Sequence, residues 1–493
     1  MCCAPPNLHG NLILRPMPFR NLDLLLCACM WMEFVSAFVN PLSGIGAPRV
    51  LHSRSRNSQI KCFGARRTAR QSATRAQGFG GSKQSQGVRS KQPKDWRTFE
   101  RWLTSNGAEL EAVMLSEFGD GLRGVVATRD IQTGEVLISI PRELILDVAD
   151  AEMSPVSGIW KMGCSPQETP PLPGYAKLAL ALIYESRLGD TSTRRPYIQM
   201  LPSANELEDD GGPSTTWSDE ELEATGCGKL IYDSKKLRSR RDGGGHPLLQ
   251  PAALASAWNE LDLRGAAPTS SELAWAVTVV TSRSLTIQYP GEAGRDTVTV
   301  SGLVPMVDML NHDGKLPPDT AKGLSKDGSR FVVIATSPIK KGEQVCLSYG
   351  ALPNIFLLEQ FGFLLPSLSS PPDVAFVGIS HLLEEGEQEV VEGLKQLAAQ
   401  GKLMREADGS PAPWQPAGRA LRRAMLELSS DSAEGVYRDL LHRQIESLTL
   451  TTEVGRAFEV RSSARRRMGQ QLCDLQTALL RGELAEVDAG FDA

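Results

Sequence analysis

The sequence predicts an α+β chain: small β-sheets split by a helical insert and followed by a mostly helical C-terminal block. Three observations predict it. Short Val- and Ile-containing runs alternate with glycine turns over 113–140. From about Pro171 the apolar residues shift to helical spacing, and strand-type runs then return over 297–349 before helical spacing resumes.

In chain order, 113–115, 124–127 and 136–140 are β-type runs separated by Gly119-Asp120-Gly121 and Thr133-Gly134, both turn signals. Helical periodicity covers 175–188, 218–231, 252–263 and 271–284, with 241–245 a loop. Strand character resumes at 297–303, 331–335 and 344–349, and the last helical block runs over 378–480. No repeat of solenoid period is present. One local echo stands out: Ile131-Gln132-Thr133-Gly134-Glu135 and Ile339-Lys340-Lys341-Gly342-Glu343 both lead into an apolar run. Each reads as a turn in which Gly supplies a positive φ, so the likeness is shared turn chemistry rather than duplication.

A chain of 493 residues exceeds one typical core. The boundaries expected are a leader over 1–95, a first folded part over 96–366 with its insert at about 150–285, and a helical domain over 367–493. With 41% hydrophobic and 23% charged residues and a net charge of -5, the composition is that of an ordinary globular protein, and bulk charge names no partner. The charge is unevenly spread. Residues 34–94 contain no Asp or Glu but many Arg and Lys, and they offer too little apolar surface to offset the entropy of ordering. Before them, 24–39 is an apolar run shorter than a membrane span, interrupted by Glu33 and ending in Val35-Ser36-Ala37, like the core of a signal peptide. Signal-like 1–37 followed by basic 38–95 resembles the two-part leader of algae whose plastids have extra membranes, which implies the plastid stroma, with the cytoplasm as the alternative. The competing reading of the head is a basic arm that touches nucleic acid or acidic lipid. Five cysteines (Cys2, Cys3, Cys27, Cys29, Cys62) fall in the leader, and no CxxC occurs. A reducing compartment and no metal cluster are the expectation.

Gly119-Asp120-Gly121-Leu122-Arg123-Gly124 matches GxGxxG, but Gly124 opens the strand-type Val125-Val126-Ala127 instead of a helix, so a dinucleotide site is refused by context. The glycines still let bare backbone approach a small ligand. In 303–312 an apolar run carries Asp308, Asn311 and His312, and alone such a histidine is more often structural than catalytic. Tyr349, alone, reads as a core tyrosine with a bonded hydroxyl.

Taken in order, Gly121 to Ala127, Gly134-Glu135, Trp275-Ala276, Ser282-Arg283-Ser284, Val304-Pro305, Asp308, Asn311-His312, Gly342-Glu343-Gln344-Val345, Ser348-Tyr349-Gly350, Asn354 and Gly362-Phe363 resemble the SET domain, in the branch of the Rubisco large-subunit lysine methyltransferases. The likeness spans 109–364, and the later helical block is similar to that branch's substrate-binding domain. The resemblance implies a SET fold with a threaded, knot-like segment and a protein-lysine N-methyltransferase that uses S-adenosylmethionine. It implies that the Gly121, Leu122 and Arg123 backbone holds the donor's amino-acid part, Arg283 its carboxylate, Asn311 its ammonium and the His312 backbone its adenine. By the same resemblance Asp308 matches the position beside them, Phe363 the aromatic that packs near the adenine or pocket wall, Tyr349 the catalytic position, which orients the amine and methyl, and Phe361 a substrate-binding position. Partners are then a protein substrate, such as the Rubisco large subunit or another stromal enzyme, with neither nucleic acid nor stable membrane association. The family commonly has Tyr-Gly-Phe where this chain has Phe361-Gly362-Phe363, so one hydroxyl is missing from the acceptor pocket. Protein-histidine methylation in the same fold, and a catalytically silent binding module, are the alternatives.

Overall fold

The computed structural model describes residues 95–118, 122–162, 171–209, 211–239, 246–289, 298–315, 317–365, 373–384, 388–428, 433–455 and 463–489. Residues 1–94 of the expected two-part leader, and the Gly119-Asp120-Gly121 turn with Gly121, expected to bind the cofactor, lie outside the described residues. Among the described residues no helix is long and apolar enough to cross a membrane.

The strand-type runs form three small antiparallel sheets. The first has strand order β1 (Glu109–Leu110), β4 (Val136–Pro141), β9 (Arg330–Ala335), β8 (Thr320–Leu324). The second is β10 (Gln344–Val345), β3 (Leu122–Ala127), β2 (Val113–Phe118), and the third is β5 (Leu146–Asp147), β7 (Val298–Leu303), β6 (Leu285–Tyr289). Each sheet joins segments from both sides of the insert, which is why early and late motifs end up together. The two echoing turns are neighbours: Ile131 and Ile339 pair through two backbone hydrogen bonds of 2.8 and 3.1 Å. Gly134 and Gly342 take φ of +89° and +84°. Glu135 accepts from the Gln132 amide at 2.7 Å and Glu343 from the Lys340 amide at 2.9 Å, so the likeness is one turn built twice.

The insert begins with short helices and continues through α1 (Gly174–Leu188), whose Ala- and Leu-rich sequence favours a helix and buries Ala176 and every residue from Leu178 to Ile183. The helix expected over 218–231 is two helices, α2 (Asp219–Glu223) and α3 (Gly228–Ser239). Gly226, at φ +68°, breaks the run. Ser218 and Glu221 close a capping box at the start of α2, as Thr269 and Glu272 do for α4 (Ser270–Arg283).

Two hydrophobic cores result. One gathers the sheets with α1, α4 and Tyr197; the other gathers Trp217, Leu222 and Leu230 from the insert with the C-terminal helices, including α5 (Asn354–Phe361) and α6 (Ser463–Asp488). The insert is therefore shared between them. The C-terminal block also holds a two-stranded antiparallel sheet, β11 (Phe376–Gly378) with β12 (Trp414–Pro416), across which Gly378 faces Trp414. The run expected as a strand over 344–349 also ends early. Only Gln344 and Val345 pair with β3, after which Cys346 leaves the sheet to bridge Asn311 in parallel.

Candidate functional site

The two late strips meet. After β7, buried Met306 takes φ +70°, an uncommon conformation for a residue with a Cβ, and it turns the chain into a short 3₁₀ turn over Val307–Met309 that carries Asp308. Beyond it the Asn311 carbonyl accepts from the Leu347 amide at 2.8 Å, and the Asn311 side-chain amide donates to the Arg123 carbonyl at 2.9 Å. A Cβ on Gly124 would stand 2.6 Å from the Gln344 amide nitrogen and 2.7 Å from that of Asn311. The glycine of the GxGxxG pattern thus serves the approach of these strips, and no helix follows it.

Around this junction lies an aromatic cluster. The Tyr349 ring is 4.8 Å from Phe361, 5.2 Å from His312 and 6.3 Å from Phe363, centroid to centroid. Its hydroxyl donates to the Leu310 carbonyl at 2.8 Å, and burial pushes its pKa above the ordinary value, so it stays protonated at neutral pH. His312 Nδ1 lies 3.2 Å from the Tyr349 amide and 3.4 Å from the Leu347 carbonyl oxygen. The amide can only donate, so Nδ1 accepts and the ring proton belongs on Nε2. Burial lowers the His312 pKa, which agrees with a neutral ring.

Behind the strips sits a buried carboxyl. Asp308 Oδ2 accepts from the Tyr197 hydroxyl at 2.8 Å and lies 3.9 Å from the Arg283 guanidinium, which also donates to the Asp308 carbonyl at 3.0 Å. Burial outweighs the arginine and the hydrogen bond, and the carboxyl pKa is pushed up to about 6. Asp308 Oδ1 has no hydrogen-bond partner among the described residues.

Arg283, Asp308, Tyr349 and Phe361 line one cavity, together with Leu310 and Leu347. Leu122, Arg123, Asn311, His312 and Phe363 do not line it; His312 and Phe363 pack against the Tyr349 ring, and Asn311 bonds the Arg123 carbonyl. Leu122 ends the β2–β3 hairpin opposite Phe118 and is 53% exposed. The Arg123 guanidinium turns to the insert, 3.4 Å from the Met200 carbonyl and 3.9 Å from Glu206, which leaves its carbonyl for Asn311.

The far wall of the cavity holds residues that sequence reasoning missed, among them Lys229 and Tyr232 on α3, Glu359 on α5, and Glu406 and Trp414 from the C-terminal block. Glu359 had a signal: it is an acid inside the apolar run Ile355-Phe356-Leu357-Leu358-Glu359. Tyr197, which reaches Asp308 across 111 residues of sequence, had none.

Comparisons with known proteins agree with this geometry. Residues 122–350 match the family model described as SET domain. The chain is similar to actin-histidine N-methyltransferase of Canis lupus familiaris, 28% identical over 282 residues that cover 57% of this chain and 44% of that protein, and equally to the Homo sapiens protein. The matched stretch therefore spans less than half the length of those relatives. Among solved structures, Rubisco LSMT bound to AdoMet is 18% identical with a TM-score of 0.53, covering 81% of this chain and 92% of that one. The SET domain of LSMT bound to lysine and AdoHcy, also 18% identical, has a TM-score of 0.54 and covers 80% and 91%. At that identity the likeness is one of fold. Residues 122–350 thus match the SET domain model, and the three small sheets with their helical insert are the SET fold.

Proposed function

We propose that this protein transfers a methyl group from S-adenosylmethionine to a side-chain nitrogen of another protein, with lysine as the acceptor. The observation that carries the reading is the meeting of the 311–312 and 346–349 strips at one end of a cavity walled by Tyr349 and Phe361. The residues present fit such a donor: Asp308 Oδ1 and Gln344 Nε2 are buried without hydrogen-bond partners among the described residues, and the Gln344 amide lies against Gly124, where a Cβ would stand 2.6 Å from it. Arg283 would hold the donor's carboxylate, Asn311 and the 121–123 backbone its amino-acid part, and the His312 backbone its adenine, with Phe363 alongside. Bound there, the donor supplies a methyl group activated on a sulfonium.

The chain's own task is alignment and exclusion of water. A free lysine has a pKa near 10.4, so at pH about 8 roughly 1 in 250 is neutral, a deficit of about 3 kcal/mol. The apolar walls of Leu310, Leu347, Tyr349 and Phe361 disfavour the charged amine, and the Arg283 cation works in the same direction. Tyr349, protonated and donating to Leu310, is no base; its role is to position the amine.

A histidine acceptor is the second reading, favoured by the relatives that are actin-histidine methyltransferases and by the phenyl ring at 361, which leaves room without a hydroxyl. Imidazole is largely neutral at pH about 8 and needs less help from burial. The leader supports delivery to the plastid stroma, with the Rubisco large subunit or another stromal enzyme as substrate; a fluorescent protein fused behind residues 1–95 should collect in plastids and not in the cytoplasm. The deciding experiment incubates the full chain with labelled donor and stromal extract and maps the labelled peptide by mass. Label on lysine supports the first reading and label on histidine the second. Failure to bind S-adenosylmethionine in calorimetry would leave a silent binding module.

A further inference from the structure

Between the Tyr349 end of the cavity and the C-terminal block, the wall carries a carboxyl that nothing in the methyl-transfer geometry uses. Helix α5 presents Phe356, Glu359 and Gln360 to the cavity, positions that share one helical face. Glu359 is 3% exposed, and its Oε1 has no hydrogen-bond partner among the described residues. Burial pushes its carboxyl above the ordinary range, and Lys229 only partly offsets this. Lys229 is shared: its ammonium interacts with Glu359, pairs with Asp233 one helical turn on, and lies over the Phe376 and Phe356 rings at 5.0 and 5.7 Å. The other lysine of this wall, Lys236, pairs with Glu406.

On this stretch Lys229 therefore serves two carboxyls, Asp233 and Glu359, while Lys236 pairs with Glu406, so the wall carries one carboxyl more than it has cations. The cavity that Glu359 lines also carries four aromatic side chains, Tyr175, Tyr232, Phe356 and Trp414. The Trp414 indole is fixed between two glycines, since a Cβ on Gly228 would stand 2.5 Å from it and one on Gly378 3.3 Å. A carboxyl without a donor, set among aromatic faces out of water, is the arrangement that receives a guanidinium or ammonium group. Arginine fits it better than lysine, because its planar fork both stacks on aromatic faces and engages a carboxylate.

We propose that Glu359 makes the middle of the cavity a subsite for a basic side chain of the protein substrate, an arginine that flanks the modified residue, and so determines which sequences are accepted. The proposal rests on the reading of this cavity as the substrate's entry. It names Glu359 as a specificity-determining residue and not a catalytic one.

The test titrates the full chain calorimetrically with Nα-acetyl-arginine methylamide and with its uncharged isostere, Nα-acetyl-citrulline methylamide. We expect the wild type to prefer the arginine probe at least about tenfold, from one desolvated charge-assisted hydrogen bond. Glu359→Gln should bring that ratio to about one, while Tyr349→Phe leaves it unchanged, which separates the subsite from the acceptor position. A wild type without preference, or with no binding of the arginine probe, overturns the proposal; so does a preference that survives in Glu359→Gln. The wild-type comparison needs no variant and stands even if Glu359→Gln folds poorly. S-adenosylmethionine is titrated in parallel: if it fails to bind while the arginine preference depends on Glu359, the methyltransferase reading falls and the basic subsite stands.

Discussion

Two buried carboxyls face the same cavity, and the structure treats them differently. Asp308 sits at the strip end, held by the Tyr197 hydroxyl, close to Arg283, and anchored through its own carbonyl by that arginine. Glu359 sits on the helical wall, where it shares its opposite charge, Lys229, with Asp233. The strip end is built from short, directional hydrogen bonds between backbone segments far apart in sequence; the wall is built from side-chain charges that balance in pairs. A site made the first way fixes atoms in place, and one made the second way selects what may sit beside it. Disturbing the first should abolish reaction, whereas disturbing the second should change preference and stability.

The largest effect should come from Tyr349→Phe and Asn311→Ala. The first loses the hydroxyl bonded to Leu310, the second the amide that ties Arg123 to the strips. Labelled methyl transfer should fall about 100-fold or more in each, the scale of a lost positioning or proton-handling group. Tyr349→Phe should keep donor affinity in calorimetry, and Asn311→Ala should weaken it. Transfer at wild-type rate in both would remove the strip end from the reaction and erase the contrast with the wall.

Next is the pH dependence of stability. The Asp308 pKa is raised from 3.8 to about 6 in the folded chain, so the folded state holds its proton longer than the unfolded one. Stability from this group is therefore greatest below pH about 4, falls as pH rises through about 6, and stays lower above it, a loss of about 3 kcal/mol in order of magnitude. Asp308→Asn should flatten the melting temperature over that window, and a slope unchanged from wild type would mean that Asp308 is ionised without penalty.

These two sets of residues also mark what was legible in the sequence. Asn311, Tyr349 and Arg283 were readable because their order along the chain and their turn glycines form a pattern, and the helix limits of α1 and α4 followed from apolar spacing. The end of the strand at Val345 was not readable, since Cys346 to Tyr349 look strand-like and only the presence of Asn311 beside them draws them out of the sheet. The sharing of the insert between two cores was hidden for a similar reason. Trp217, Leu222 and Leu230 have the periodicity of any buried helix face, and nothing local says that they pack on residues beyond 350. Helical spacing over 218–231 also ran straight through Gly226, whose positive φ divides the helix. For Glu359 the chemistry was visible as an acid in an apolar run, but its lack of a partner is a property of three dimensions only.

A smaller and opposite effect is expected at the wall. Replacing Glu359 by Leu removes a buried carboxyl whose Oε1 has no donor, and Lys229 keeps Asp233. The variant should be more stable than wild type at pH about 8, by about 1 to 3 kcal/mol in urea unfolding, because an apolar residue of similar size carries no desolvation cost. Methyl-donor affinity should not change. A loss of stability instead would show Glu359 and Lys229 to be a structural pair, and the wall would then resemble the strip end.

The smallest effect tests the turns that bring the sheets together. Glu135 and Glu343 each accept a hydrogen bond from the amide that opens their own turn, Gln132 and Lys340, and the two turns are joined through Ile131 and Ile339. Either glutamate changed to alanine should cost at most about 1 kcal/mol in urea unfolding, the net worth of one exposed hydrogen bond. Glu135 has an added ion pair with Arg129 at 2.7 Å, but both partners are substantially exposed and the pair adds little. The two variants should therefore agree within about 0.5 kcal/mol, and neither should alter methyl transfer, because the turns' remaining backbone bonds, to Ala335 at one turn and to Ala127 at the other, do not need either carboxylate. A cost several times larger at one turn than at the other would mean that they do different mechanical jobs, and that the matching sequences hide unequal anchors for the strip end.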